Sequence, residues 1–288
     1  MTPPVIEDYF VCVGAQKAST TWLLDLLGGH PEVFATPVKE IHYFDHLAGL
    51  TTKLSRDRRR SRFRKYLQRC ALDWRRAAKY RAEWPWWRAY LRDPVDDSWY
   101  AELFRHRGPA RLAGEATPHY ALIGAAGFAH LRRLAPDARV LYVLRDPVDQ
   151  AWSQYRHHRG KTAAKRAGLP LDDPKHFLAL EMNAGHRAYA PIIDRLTEAF
   201  GPERLKVLFH EDIHADPTAA LAGICGFLGL AYDPRHFADP ARRRNPSRPW
   251  DLPPELRAEL ARDHRATVEA VEARLGRVPE CWRGDGIQ

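Results

Sequence analysis

The sequence predicts an α/β fold with a mostly parallel central sheet, and three observations predict it. Short β-branched or apolar runs recur at Tyr9–Val13, Arg111–Gly114, Arg139–Leu144 and Arg204–Phe209, with a shorter candidate strand that includes Val33 and Phe34. Helical patterns separate them, at Thr20–Leu27, Ala125–Leu134, Val148–His158, Tyr189–Phe200 and Thr218–Leu228. The first, third and fourth of the main runs are almost continuously apolar, as strands covered on both faces of a parallel sheet are.

Length and composition fit one globular domain. The 288 residues are enough for a full core and are read as a single domain, 1–288. Hydrophobic residues make up 45% and charged residues 28%, so the chain has no need to be disordered or fibrous. No apolar run is long enough to span a bilayer. The four cysteines, Cys12, Cys70, Cys225 and Cys281, are widely spaced and form no metal-type pair, which points to a reducing, cytoplasmic setting. The net charge of +9 is concentrated in one segment. Between Lys53 and Arg92 stand fifteen Lys/Arg against three Asp/Glu, so the rest of the chain is slightly acidic.

In chain order, the first strand runs into Gly14-Ala-Gln-Lys-Ala-Ser-Thr-Thr-Trp22 and then a helix. A tight turn, a lysine and hydroxyl residues at a helix start bring a positive side chain and free N–H groups to one point, which suits an anion. The nucleotide-triphosphate loop requires Gly-x-x-x-x-Gly-Lys-Ser/Thr. Here Lys17 follows Gly14 by three residues with no glycine before it, so the anion is not expected to be the γ-phosphate of ATP. The loop begins so close to Met1 that no cleavable signal peptide is expected before it. The strand at Arg139–Leu144 ends in Arg145-Asp-Pro-Val-Asp-Gln-Ala-Trp-Ser153. There an arginine offers a planar fork to phosphate, Pro147 opens the next helix, and Ser153 lies about two turns along it. Ligands of such folds gather at the carboxyl ends of the strands, so Gly14–Thr21 and Arg145–Ser153 are expected to share one site.

Residues 50–100 interrupt the alternation. Phe63, Tyr66, Leu67, Cys70, Trp74 and Ala77 recur at helical spacing with arginines between them, and Trp84-Pro-Trp-Trp87 follows as a helix-breaking aromatic cluster. This segment is read as a helical insertion or lid packed on the core. Near the end, Leu256, Leu260, Val268, Val271 and Leu275 share one face of Pro254–Leu275, and Gly276 is placed to stop that helix.

These motifs together resemble the sulfotransferases that use 3′-phosphoadenosine 5′-phosphosulfate (PAPS), nearer the heparan-sulfate branch and its bacterial relatives than the cytosolic aryl branch. Lys17-Ala-Ser-Thr-Thr-Trp22 is similar to the family loop Lys-x-Gly-Thr-Thr-Trp, matching at Lys17, Thr20, Thr21 and Trp22, with Ser19 in place of glycine. The resemblance implies a P-loop-like three-layer fold and a 5′-phosphosulfate held by Lys17, Ala18, Ser19, Thr20 and Thr21. Trp22 would either stack on adenine or belong to the core. It implies that Arg145 and Ser153, at the family spacing, hold the 3′-phosphate. The basic stretch Arg242-Arg-Arg-Asn-Pro-Ser-Arg248 resembles the basic C-terminal segment with which related enzymes close the nucleotide site, which makes Arg243 or Arg244 the candidate to touch the 3′-phosphate. Pro37-Val-Lys-Glu-Ile-His-Tyr-Phe-Asp45 resembles the family's Lys-Glu-x-His-Phe/Tyr-Phe-Asp segment, which makes Glu40 the implied base, with His42 and Asp45 beside it. If the segment is extended, Glu40 and His42 point to the same side. Gly114-Glu-Ala-Thr-Pro-His-Tyr120 resembles Gly-Glu-Lys-Thr/Ser-Pro-x-Tyr, with Ala116 where heparan-type enzymes carry lysine. Glu115 would line the acceptor pocket or stabilise the loop.

The implied reaction is in-line sulfuryl transfer from PAPS to a hydroxyl, or less favourably an amine, of a small-molecule or saccharide acceptor. No metal is implied, and no nucleic acid or membrane partner. The +12 segment is compatible with an anionic acceptor, and its tryptophans would equally suit a sugar ring or an aromatic natural product; abundant Ala, Arg and Pro suggest a GC-rich bacterial gene, compatible with tailoring of a secondary metabolite. A P-loop kinase or NTPase, or a nucleic-acid-binding module built on the Lys53–Arg92 stripe, are the competing readings.

Overall fold

The computed structural model describes residues 5–72, 76–159, 161, 168–241 and 251–283. Five strands, β1 (Tyr9–Gly14), β2 (Val33–Ala35), β3 (Leu112–Ala116), β4 (Arg139–Leu144) and β5 (Leu205–Phe209), form one sheet in the order β2-β3-β1-β4-β5. Every pair is parallel, with Tyr9 opposite Ala113, Cys12 opposite Leu141 and Val140 opposite Leu205. Parallel neighbours need long crossovers, and helices supply them. In chain order these are α1 (Thr20–Leu27), α2 (Tyr43–Leu47), α3 (Arg56–Ala71), α4 (Arg76–Tyr90), α5 (Asp97–Arg105), α6 (Gly124–Leu134), α7 (Pro147–Arg159), α8 (Pro174–Ala179), α9 (Glu181–Ala184), α10 (Tyr189–Phe200), α11 (His210–Ala215), α12 (Pro217–Leu228) and α13 (Pro254–Leu275).

The continuously apolar run of β1 is central and buried along its whole length, and β4 is buried from Val140 onward. β5 differs from expectation: only Phe209 is buried, because the strand lies at the sheet edge. β3 starts at Leu112 and runs on through Glu115 and Ala116, so it carries a carboxylate into the sheet. After β1 the chain moves to one side of the sheet (β2, β3) and then returns to the other (β4, β5). The reversal lies between β1 and β4, the position at whose carboxyl ends ligands of such sheets bind. α13 ends as its sequence indicates, at Gly276 with φ 73°.

The helices of the 50–100 segment pack onto the same core. Trp86, Trp87, Tyr90 and Trp99 are all buried in it, and Trp86 stacks on Tyr90 with ring centroids 5.0 Å apart. One expectation fails here: Pro85 does not break the helix but sits inside α4. A proline in a helix interior costs about 3 kcal/mol, and the burial of Trp86 and Trp87 directly after it outweighs that cost. Arg59 is also buried. Its guanidinium donates to Tyr90 O and Arg92 O at 2.8 Å each and to Leu54 O at 3.3 Å, and pairs with Asp93. That arginine of the basic segment is spent inside the fold; Arg56, Arg58 and Arg60 are exposed.

Candidate active site

The loop between β1 and α1 is shaped by two backbone bonds and a supporting side chain. Ala15 N donates to Val143 O at 2.6 Å, Ala18 N to Ala15 O at 3.3 Å, and Gln150 Nε2, from α7, to Gln16 O at 3.0 Å. Lys17 and Ser19 both take left-handed backbone conformations, φ 67° and 63°. Left-handed geometry costs an L-residue about 1–2 kcal/mol, which explains the glycine that the family pattern places at position 19. Here Ser19 remains, and its Oγ bonds His210 Nδ1 at 2.8 Å and His214 Nε2 at 2.9 Å, two residues of α11. Ser19 makes no side-chain cap to α1, so its hydroxyl does not occupy the N–H groups of the first helical turn.

Lys17 is the charge at the centre of this loop. Burial, then Arg145, Lys161, Arg156 and Lys39, push its ammonium down to about 8. Such a concentration of cations in a partly desolvated crevice is costly without an anionic ligand and favours binding one. Arg145 stands at the end of β4 with Nη1 donating to Lys17 O at 3.0 Å, while its Nε is buried without a partner. An unpartnered buried guanidinium N–H is a donor ready for a ligand oxygen. Asp146 caps α7 through bonds to Val148 N (2.8 Å) and Asp149 N (3.0 Å), and Ser153 is buried two turns along. Ala18 and Thr20 are buried in the loop, and Thr21 is half-buried. Trp22 is 2% exposed, and its Nε1 donates to Pro240 O at 2.8 Å. Arg243 and Arg244 lie outside the described residues.

The second wall is the segment Lys39–Asp45, between β2 and α2. Lys39 Nζ bonds Thr21 Oγ1 and so ties this wall to the anion loop. Glu40 and His42 have φ 58° and 64°, so the segment is kinked rather than extended. The two side chains nevertheless meet, with His42 Nε2 3.2 Å from Glu40 Oε2. Asp45 Oδ2 takes His42 Nδ1 at 2.7 Å and His119 Nδ1 at 2.9 Å. Burial alone would raise the Glu40 carboxyl, but the His42 bond and the charges of Lys53, His42 and Lys39 outweigh it and hold it at about 2. Burial would lower His42; its bonds to Asp45 and Glu40 prevail and raise it above the usual histidine value. Glu40 is the partly exposed tip of this group, and His42 and Asp45 lie buried behind it. His42, Asp45 and His119 have the donor types of a metal centre. Because both rings direct Nδ1 at one carboxylate oxygen, they form a hydrogen-bonded set.

Glu115 resolves to the stabilising role. It is fully buried, and Oε2 accepts from Ile41 N (3.1 Å) and Thr117 Oγ1 (2.6 Å), while Oε1 accepts from Tyr100 OH (2.5 Å) and Tyr120 OH (2.9 Å). Tyr43 N donates in turn to Tyr120 OH at 2.9 Å. Glu115 thus clamps the kinked segment on both sides of His42. Sequence reasoning missed Lys39, Gln150, His119 and the His210/His214 pair. Lys39 sits inside a recognised motif and was legible as a cation; the others are brought in by distant elements and carry no local signal.

A family model described as the sulfotransferase family matches residues 10–234. Among solved structures, a sulfotransferase from Alicyclobacillus acidocaldarius is 24% identical, with 96% of this chain and 98% of that one covered and a TM-score of 0.67. The sulfotransferase domain from the curacin biosynthetic pathway is 19% identical over 84% and 80%, TM-score 0.56. The corresponding domain of the Synechococcus PCC 7002 olefin synthase is 19% identical over 96% and 97%, TM-score 0.55. Nothing among curated protein sequences matches the chain. Among the described residues no helix is long and apolar enough to cross a membrane.

Proposed function

We propose that this chain, which belongs to the sulfotransferase family, moves a sulfuryl group from PAPS to a hydroxyl of a small-molecule or carbohydrate acceptor. The observation that carries the donor assignment is the pairing of two anion sites across the β1/β4 crevice. Lys17 and the uncapped start of α1 form one; Arg145, with its unpartnered Nε, and Ser153 form the other. Two such sites suit a nucleotide with separate 5′- and 3′-anions. In the transfer, the acceptor oxygen forms a bond to sulfur as the bond from sulfur to the bridging oxygen breaks. The electron pair leaves with adenosine 3′,5′-bisphosphate, where the Lys17 ammonium offsets the growing charge. The acceptor proton goes to Glu40, whose carboxylate is the partly exposed member of its group. Alignment of two bound substrates supplies much of the rest.

An anionic acceptor fits the other cations near the base. Lys53 acts on Glu40, and Lys161 is lowered by burial and next by Lys53, so two lysines approach this side of the crevice. Tailoring of a bacterial metabolite is compatible with that chemistry. The test is thermal stabilisation by adenosine 3′,5′-bisphosphate compared with ATP and Mg²⁺, followed by acceptor screening with ³⁵S-labelled PAPS. Preferential stabilisation by ATP and Mg²⁺ would overturn the donor assignment.

A further inference from the structure

We infer that His119 is a positioning residue that sets the protonation of His42 by sharing the acceptor oxygen of Asp45 with it. His119 belongs to the turn Pro118–Leu122 after β3, far in sequence from the base segment. Its Nδ1 reaches Asp45 Oδ2 at 2.9 Å, the same oxygen that takes His42 Nδ1 at 2.7 Å, while Asp45 Oδ1 is buried without a partner. One carboxylate oxygen therefore serves two imidazoles, although a second oxygen is available on the same group. Hydrogen bonds to a carboxylate disperse its charge, so the donor at 2.9 Å weakens the hold of Asp45 on the ring at 2.7 Å. Any positive charge on the His119 ring acts with the same sign.

The groups facing His42 are few and come from several elements. Glu40 and Asp45 favour its imidazolium, while Lys53, from the start of the helical segment, disfavours it. His119 stands with its ring centroid 6.2 Å from that of His42. Behind it His186 lies with its ring 5.4 Å from His119; burial, then His119 and Arg187, push it down to about 3. His186 therefore stays neutral at physiological pH and leaves the tuning of His42 to Asp45, Glu40, Lys53 and His119.

The consequence rests on the reading of Glu40 as base. A neutral His42 has a free Nε2 lone pair and can take a proton from Glu40, and the Asp45 carboxylate stabilises the imidazolium that results. An imidazolium has no room for that proton. By weakening Asp45, His119 lowers the pH at which the Glu40–His42 pair becomes able to accept one.

The tuning can be measured without the acceptor. Imidazole ¹³Cε1–¹H resonances of the full chain are followed against pH, with His42 assigned by its disappearance in His42→Asn. His119→Ala and His119→Phe should each raise the His42 midpoint by about one pH unit, a tenfold change in its proton affinity. His119→Asn, which keeps a donor, should shift it less. In an Asp45→Asn background the effect of His119→Ala should disappear. An unmoved or lowered midpoint in His119→Ala or His119→Phe, or an undiminished shift without the Asp45 carboxylate, would overturn the inference. Failure of the base reading is a separate outcome, seen as an unchanged transfer rate in Glu40→Gln with the His42 midpoint still responding to position 119.

Discussion

Raising the pH through the titration of Lys17 should weaken donor-site binding in a way that one substitution removes. In the free site the Lys17 ammonium titrates near 8 instead of 10.5, because burial and then Arg145, Lys161, Arg156 and Lys39 disfavour its charge. Adenosine 3′,5′-bisphosphate brings negative charge beside it and restores the proton, so the bound-state value moves back toward 10.5. The sign follows. Affinity is full well below pH 8 and falls as pH rises through 8, by about a factor of ten per pH unit until the bound-state value is reached. At pH 9 about one free site in ten carries the charged lysine, so affinity is about tenfold weaker than at pH 7, or about 1.4 kcal/mol. Near pH 8 about half a proton should be taken up for each ligand bound, which calorimetry in two buffers of different ionisation enthalpy reads directly. Lys39 and Lys161 are also lowered and add to the slope. Lys17→Met isolates its share by binding more weakly at pH 7 and losing most of the pH dependence. An affinity that is flat from pH 7 to 9.5, or a Lys17→Met slope equal to wild type, would refute the placement of this lysine against the ligand.

Three further outcomes follow from particular contacts. Glu40→Gln should lower the transfer rate to a hydroxyl acceptor by about a hundredfold at saturating PAPS, read with labelled donor, without weakening the affinity for adenosine 3′,5′-bisphosphate. Ser19→Ala should melt below Ser19→Gly: alanine keeps the left-handed strain of about 1–2 kcal/mol and loses both histidine bonds, whereas glycine loses the bonds but relieves the strain; differential scanning calorimetry ranks them. Glu115→Gln turns an amide donor toward two of the four donors that now converge on the carboxylate, which should cost about 1–3 kcal/mol for each group left unpaired and appear as a lower midpoint in urea.

The sheet and the anion loop were legible because their signals are local. A strand buried on both faces, as β1 and β4 are, has to be apolar at nearly every position, and a turn that binds an anion shows its lysine and hydroxyls within a few residues. β5 misleads for the same reason: its apolar run is continuous, but only its place at the edge decides that its residues stay half-buried. Pro85 misleads because helix propensity is local, and the burial of Trp86, Trp87 and Tyr90 that overrides it is not. In the site, Lys17, Arg145, Ser153, Glu40 and His42 could be named because each belongs to a short motif at a fixed spacing. His119, His210, His214 and Gln150 could not, since they reach their partners through tertiary contacts spanning tens of residues or more.

The electrostatics of the crevice bear on how so acidic a group can act as a base. A carboxyl held at about 2 has little appetite for a proton, yet what holds it there is the bond from His42 together with the charges of Lys53, His42 and Lys39. Lys39 also reaches Thr21 of the anion loop, and Lys17 is itself destabilised by Lys39. A donor carrying several negative charges into that loop would offset Lys39, one of the two lysines that depress Glu40, so its arrival would raise the carboxyl. The acceptor hydroxyl also becomes acidic only as its oxygen bonds to sulfur, which asks less of the base than deprotonating a free alcohol. Thr21, Lys39 and Glu40 thus form one electrostatic connection from donor to base. On the proposed reading, proton acceptance by Glu40 is weak in the empty crevice and grows once a sulfuryl donor is bound, which disfavours proton transfer in the absence of the donor.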